Sequence, residues 1–392
     1  MSDVPPSTRI LEEAAATLRT LRGSIDEVDD ALIDLLNRRA HLACDVAKAK
    51  AQASLRAYVP ERERQLLDRL CARSRGPLPE HSLRLIYKEI ISACLALESP
   101  LEVAFLGPEA TFTHEATKRY FGLSARLKAC RSIPDVFDDV ERSRCAFGVV
   151  PIENSSEGMV DHTLDAFTRS RLQICAEVLL EVSHHLLTHS GDVIGVTKVY
   201  SPLQALEQCR SWLHANLPGV PHVDVPNTAR AAQLAAEDPT AAAVATDLAA
   251  SMYGLRIAAS NLDDLGGNLT RFLVIGHDEP SPTGQDRTSI MFALKDTAGV
   301  LYEALGSFAR AGINMSRIES RPSRRQPWEY LFFIDLDGHR TAPDVSEAIA
   351  SLQTTCSFMR VLGSYPQGRL TSRLAGRKPP QESLPPLPQA EK

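Results

Sequence analysis

The sequence predicts three folded segments of different class: all-α over residues 11–98, α/β over 101–278, and an α+β ferredoxin-like unit over 287–365. Three observations predict this. Residues 11–98 hold no β-rich run and carry apolar residues at helical spacing. From Leu101 short apolar runs alternate with helical stretches. After a turn-rich linker, DEPSPTGQD (278–286), the order becomes βαββαβ.

Leu18, Leu21, Ile25, Val28, Leu32 and Leu35, then Leu42 and Val46, form one helix seam from about residue 11 to 53. At 1.5 Å per residue that helix is ~60 Å long, too long for one small domain to cover, so it calls for a partner chain. Shorter helices are expected from Pro60 to Arg73 and from Glu80 to Leu97, with a boundary at Ser99-Pro100. In the next segment VAFL (103–106), FGVV (147–150), VLLEVSHHLL (178–187) and GVTKVY (195–200) read as strands of a mostly parallel sheet. Polar clusters at 107–114, 151–158 and 201–204 fall at their carboxyl ends, where such sheets bind ligands. GGNLTRF (266–272) opens a further apolar strand and sets a hydroxyl, a guanidinium and a ring at its mouth. The last segment reads as RTSIMFAL, a helix over 299–311, INMSRIESR, WEYLFFIDLDG, a helix over 343–354, and FMRVLGSY. The Pro-rich, polar tail 370–392 is expected to be disordered.

Composition excludes several functions. Of the 392 residues, 44% are hydrophobic and 23% charged, as in ordinary globular proteins. The net charge of −6, without a basic stripe, argues against nucleic acid. No apolar run approaches the roughly 20 residues of a spanning helix, and the N-terminus lacks a signal-peptide core. Eight scattered cysteines without a CxxC pair fit a reducing cytoplasm. His185 and His189 have zinc-like spacing, but on a strand it separates them by ~13 Å, so no metal is expected. Cys145 and Cys175, flanked by apolar residues, read as core.

In the helical segment charges stand on the apolar face. One helical step beyond Leu35 is Arg39, and one beyond Val46 is Lys50. These two lie about three turns apart and point the same way. Glu63 continues the stripe of Leu66, Leu67 and Leu70, and Glu98 that of Ile90, Ile91 and Cys94. Buried unpaired ions cost several kcal/mol, so these four need each other or a polar ligand. LRGSIDEVDDALIDLLNRRAHLACDVAKAK, PERERQLLDRL and IISACLALE resemble the all-α chorismate mutase family, an intertwined helical dimer that rearranges chorismate to prephenate by a pericyclic step. The resemblance implies that Arg39 and Arg22 (the latter from the partner chain) hold the two carboxylates. It places Lys50 on the ether oxygen and Glu63 and the Val59 backbone on the ring hydroxyl, with Arg62 and Cys94 lining the pocket. Glu98 would support the ether oxygen and must be protonated to donate a hydrogen bond to it. Val59 and Cys94 depart from the polar residues common there.

GPEATFTHEA, GVVPIENSSEG, NTARAA, YGL and NLTRFLVIG resemble, in order and spacing, prephenate dehydratase, a two-lobed fold like periplasmic binding proteins. The resemblance implies conversion of prephenate to phenylpyruvate with loss of carbon dioxide and the ring hydroxyl, without cofactor. It makes Thr270 the essential residue, hydrogen-bonded to the leaving hydroxyl, pairs Arg271 with a substrate carboxylate, and lines the cleft with Thr111, Asn154, Ser155 and Thr228. Ala110 replaces a usual glycine, and Pro202 a histidine that could have donated the proton.

DTAGVL (296–301) and IESRP (318–322) resemble the phenylalanine-binding ACT domain. Gly299, Val300 and Leu301 would bind the ligand's ammonium and carboxylate by backbone, with Glu319, Ser320 and Arg321 completing the site in a dimer. Together these resemblances imply a cytoplasmic, bifunctional enzyme of L-phenylalanine biosynthesis, at least a homodimer, inhibited by L-phenylalanine. The alternatives are a dehydratase with an impaired mutase and a non-catalytic small-acid sensor.

Overall fold

The computed structural model describes residues 6–368 except 54–57, 59, 157, 265, 296 and 324–329; Val59 and the tail 370–392 lie outside the described residues. The chain forms two compact units, one of the helices up to Leu101 with the short stretch Gly122–Ala125, the other of the remainder.

The first unit contains α1 (Pro6–Gln52), α2 (Pro60–Arg73) and α3 (Glu80–Glu98). The seam leucines of α1 do not find a core within the chain. Leu18, Leu21, Ile25, Val28, Leu32, Leu35, Leu42 and Val46 are all exposed, Leu35 at 60%. Helix α3 is joined to α2 by Arg84–Asp68 at 2.7 Å and Lys88–Glu63 at 2.6 Å.

The second unit runs β1 (Glu102–Leu106), α4 (Phe112–Phe121), β2 (Arg126–Cys130), α5 (Ile133–Glu141), β3 (Phe147–Asn154), β4 (Gly158–Met159), α6 (Asp161–Phe167) and β5 (Gln173–Glu181). It continues with β6 (His185–Thr188), β7 (Lys198–Ser201), α7 (Leu203–Gln208), α8 (Arg210–Asn216), β8 (His222–Asp224), α9 (Thr228–Glu237), β9 (Ala241–Ala245), α10 (Asp247–Tyr253) and β10 (Arg256–Ala259). It ends with β11 (Leu269–Gly276), β12 (Asp286–Leu294), α11 (Val300–Arg310), β13 (Met315–Pro322), β14 (Tyr330–Asp337), α12 (Pro343–Thr355) and β15 (Cys356–Pro366).

One lobe has the strand order β2-β1-β3-β11-β5, with β4 on β3; the other has β10-β6-β9-β7-β8. The run 178–187 is therefore two strands of different sheets, a correction to the single strand read from sequence. Polar Ser183 and His184 mark where the chain crosses between lobes, and the Asp263 carboxylate accepts from the His184 backbone N–H at 2.8 Å. It returns before β11, so β11 runs antiparallel to both β3 and β5. The sheets are mixed, not mostly parallel as expected: β11 enters the first lobe from the returning chain, and in the second lobe β6 runs antiparallel to both β9 and β10. In the second lobe β9 (AAAVA) is wholly buried and α9 (TARAAQLAAE) packs on it; small residues on both sides permit that close approach.

The third sheet, β13-β14-β12-β15, is antiparallel throughout. Both its faces are covered. Ile290, Phe292, Ile334 and Leu336 pack with Ala304 and Phe308 of α11 and Ala348 and Leu352 of α12. Met291, Ala293, Leu331, Phe333 and Leu362 join Ile152, Ile174, Leu273 and Ile275 of the first lobe in one core. Double burial explains why SIMFAL and YLFFIDL are nearly continuous apolar runs. At this seam Gly363 meets β5 backbone to backbone: a Cβ there would stand 2.4 Å from the Ile174 carbonyl oxygen. Gly363→Ala is expected to cost about 3 kcal/mol in denaturant unfolding, the upper range for overpacking that no flexible side chain can relieve; a cost within 0.5 kcal/mol would mean the sheets separate without strain.

Candidate active sites

Thr270 is the second residue of β11, paired in register with Asn154 at the end of β3. The two strands shift register between Arg271 and Phe272, opposite Pro151 and Glu153, so a bulge lies beside Thr270. Strand β3 thus runs through Pro151 to Asn154, further than the FGVV read from sequence, the bulge accommodating the missing proline N–H. Asn154 Nδ2 donates to Thr270 Oγ1 at 2.7 Å and to Asn268 Oδ1 at 2.9 Å. Its Oδ1 accepts the Ser156 backbone N–H at 2.8 Å, which settles the orientation of the amide. Thr270 Oγ1 is therefore an acceptor toward Asn154, and among the described residues no group accepts its proton. Ser155 ties the same corner: its N–H reaches the Leu269 carbonyl and its Oγ accepts the Leu269 N–H, both at 2.9 Å.

The carboxyl ends of the two lobes face each other here. Ala110, in the loop after β1, accepts a bond at 3.0 Å from Thr246, in the loop after β9, and its side chain sits in the second lobe's core. Ala110 adopts φ 66°, a left-handed conformation that costs a non-glycine residue about 1 kcal/mol. Thr111 precedes α4, its hydroxyl donating to the Pro108 carbonyl at 2.9 Å, and Thr228 is the first residue of α9, whose cap Asn227 accepts the Arg230 N–H at 2.8 Å. Both stand at amino ends of helices, where backbone N–H groups and the helix dipole favour negative charge. Among the described residues His184, Cys209 and Asp263 approach within 4.8 Å of one another. His184 gives its backbone N–H and ring Nδ1 to Asp263 at 2.8 and 2.6 Å, and burial pushes the Cys209 thiol up, so these groups read as a hydrogen-bonded core. His185 and His189 have separate partners, the Asn261 N–H and the Ala236 carbonyl.

Arg271 is not available to a substrate carboxylate, a correction to the role implied by resemblance. Its Nε meets Glu177 Oε2 at 2.6 Å, one terminal nitrogen meets Asp335 Oδ2 at 2.6 Å, and the other meets the Tyr365 hydroxyl at 2.9 Å. Glu177 also takes Arg287 at 2.6 Å, and Asp335 takes Ser289 at 2.5 Å and Arg317 at 3.4 Å. Because β11 side chains alternate, Thr270 and Arg271 lie on opposite faces of the strand, and Arg271 lies against the third sheet. Burial alone would push the Asp335 carboxyl up, but Arg271 and Arg317 outweigh it and hold it below the usual range.

In the first unit Lys50 Nζ stands 3.6 Å from Glu98 Oε2, and an Arg39 terminal nitrogen 3.5 Å from the Ile90 carbonyl. That Glu98 oxygen is buried with no hydrogen-bond partner among the described residues. Glu63 pairs with Lys88, a cation that sequence reasoning missed because its partner lies on a different helix. Cys94 is buried and Arg62 exposed. Arg22 is exposed about 25 Å along α1 from Arg39, too far to join these groups in its own chain.

In the third sheet's unit Gly299 takes φ 84° and precedes α11, leading into Val300 and Leu301. Glu319 and Ser320 lie on β13, half-buried and exposed. Arg321 ion-pairs with Asp161 and, at 3.3 Å, with Asp165, both on α6. Its guanidinium is thus engaged by two carboxylates of α6, a correction to the place in an effector site that the resemblance implied.

Sequence profiles match this geometry: "Chorismate mutase type II" over residues 21–99, "Prephenate dehydratase" over 103–280 and "ACT domain" over 288–353. The bifunctional chorismate mutase/prephenate dehydratase of Aquifex aeolicus is 47% identical over 357 residues, covering 90% of this chain and 99% of the relative. That of Stutzerimonas stutzeri is 42% identical, covering 91% and 99%. The crystal structure of prephenate dehydratase from Arthrobacter aurescens in complex with L-Phe matches with a TM-score of 0.63 and 34% identity, covering 68% of this chain and 90% of that one.

The ion cluster sets a pH dependence. Asp335 has a depressed pKa in the folded state, so its stabilisation is complete above the ordinary carboxyl range near 4 and is lost as pH falls through the folded value. Asp335→Asn should therefore lower unfolding free energy by about 3 kcal/mol at pH 7. In urea titrations from pH 7 to 3 the gap to the unaltered protein should narrow on the acid side; a constant gap would exclude a charge effect.

Proposed function

The chain belongs to the bifunctional chorismate mutase/prephenate dehydratase family, and from that premise we propose how its residues divide the two reactions. It is an enzyme with both activities, and family membership sets aside the non-catalytic sensor. We assign the mutase to residues 11–98, the dehydratase to 101–278 and the ACT module to 287–365.

For the dehydratase, the observation that carries the reading is the 2.7 Å bond from Asn154 to Thr270 Oγ1, which leaves the threonine proton to be donated. In prephenate the bond between the ring and its carboxylate breaks to release carbon dioxide, and that electron pair aromatises the ring as the C–O bond to the hydroxyl breaks. Oxygen leaves bearing the pair and takes a proton to become water. Thr270 hydrogen-bonds to that oxygen as charge builds, which is worth most when the donor is already aimed. A threonine hydroxyl is too weak an acid to supply the proton outright. Substrate carboxylates are assigned to the amino ends of α4 and α9, beside Thr111 and Thr228, and to the Ser155 corner. Arg271 orients the strand and does not bind the acid.

For the mutase, chorismate lies between Arg39 and Lys50, with Glu98 and Lys50 flanking the ether bond that breaks as the new carbon–carbon bond forms. Glu63, held by Lys88, receives the ring hydroxyl, with Cys94 in the wall and Arg62 at the rim. The site is completed by Arg22 of a second copy, and the exposed stripe of α1 is the surface that copy covers; burying it is worth roughly 25 cal/mol per Å². The homodimer is thus part of the catalytic unit. L-Phenylalanine is proposed to bind the ACT module at Gly299, Val300, Leu301, Glu319 and Ser320, in keeping with the L-Phe complex of the Arthrobacter aurescens relative. Among the described residues no helix is long and apolar enough to cross a membrane, and a cytoplasmic location fits the substrates.

Two outcomes test the assignments. Thr270→Val keeps the shape and removes the donor; phenylpyruvate formation should fall about 10²- to 10³-fold while chorismate consumption is unchanged, and parallel loss of both would mean misfolding. Glu98→Ala removes the group assigned beside the ether oxygen; mutase turnover should fall about 10²-fold while phenylpyruvate formation from prephenate is unchanged, and an unchanged mutase rate would sink this role.

A further inference from the structure

Strand β13 is an edge strand of the third sheet, and two of its arginines link it to the dehydratase, Arg317 through Asp335 of the neighbouring β14 and Arg321 directly. Arg317 contacts Asp335 Oδ2 at 3.4 Å, the same oxygen that holds Arg271 at 2.6 Å, and Arg271 directly follows Thr270. Arg321 takes the other route, to Asp161 and Asp165 of α6. Helix α6 is fastened to the Asn154 corner: Asn154 pairs with Gly158, and the Val160 N–H donates to the Ile152 carbonyl at 2.9 Å just before the helix starts. The two routes end on the two partners of one hydrogen bond, Thr270 and Asn154. A small movement of β13 therefore changes how they meet, and mispositioning by about 1 Å at a reacting group can cost 10²-fold in rate. The cavity beside Arg271, Arg317 and Asp335 is about 10 Å³, room for one water at most, so an amino acid does not act from inside this interface.

We propose that Arg317 and Arg321 are positioning residues of the dehydratase reaction, and that β13 is the element through which occupancy of the ACT module reaches the Asn154–Thr270 pair. Arg321 is on this account a tether to α6 and not a ligand of the effector. The regulatory half rests on the proposed binding of L-phenylalanine next to β13; the positioning half does not.

The test breaks the tether from both ends in the full-length enzyme, with Arg321→Gln and, separately, the double variant Asp161→Asn/Asp165→Asn. Each should lower dehydratase kcat about 10-fold with little change in KM and leave mutase turnover and melting temperature near those of the unaltered enzyme. Arg321→Lys should recover part of kcat. Calorimetric titration should show both variants binding L-phenylalanine with affinity within threefold of the unaltered enzyme, while its effect on dehydratase rate is lost. The proposal is overturned if Arg321→Gln alone loses phenylalanine binding with kcat unchanged, which makes Arg321 a ligand. It is equally overturned if both variants keep wild-type kcat and wild-type response. Failure of the unaltered enzyme to bind phenylalanine would remove the effector reading alone, and kcat in the two variants would still decide the positioning role.

Discussion

One buried guanidinium holds this protein's second unit together. Arg271 hydrogen-bonds two carboxylates and a tyrosine hydroxyl drawn from two sheets, Glu177 from the first lobe and Asp335 and Tyr365 from the third sheet, with a third carboxylate, Glu153, at 3.8 Å. Desolvating such ions costs several kcal/mol each, and only near-complete pairing offsets it. The planar fork of arginine can meet three partners in fixed directions, which a lysine ammonium cannot. The consequence is positional. The first residues of β11 cannot slide or rotate without breaking that pairing, so Thr270, on the other face of the same strand, inherits a fixed place.

From that constraint the dehydratase site follows. Bulge, amide and hydroxyl at the β3–β11 corner form a closed set of hydrogen bonds in which Asn154 uses its donors and acceptor, leaving Thr270 one proton to give. The third sheet is then no appendage. It shares a core with the first lobe and supplies a carboxylate that fixes β11, so the first lobe and the third sheet have a common structural element.

The helical unit solves a different problem. Its ions lie at helix positions that would otherwise be apolar, and they pair where they can: Lys50 with Glu98, Glu63 with Lys88. Its seam leucines are left in water, and Arg22 stands too far along α1 to meet Arg39. Each of these is incomplete within one chain.

Much of the architecture was legible in sequence because it is written locally. Helical spacing places α2 and α3 within a residue of their observed ends, and the order βαββαβ appears as read. The corner at Asn154 and Thr270 is legible through its motifs. What could not be read depends on distant partners: Arg271 meets residues 64 and 94 positions away, and no local pattern says which face of β11 is the cleft. The same holds for Arg321 and Lys88, whose partners sit on other elements, and for the crossing at Ser183–His184, hidden inside an apolar run. The most direct test of the account is a crystal structure with a prephenate-like dicarboxylate bound in the dehydratase cleft. It should show Thr270 Oγ within hydrogen-bond distance of the ring oxygen, with Arg271 still on Glu177 and Asp335. Arg271 swung into the cleft onto the ligand's carboxylate would contradict it.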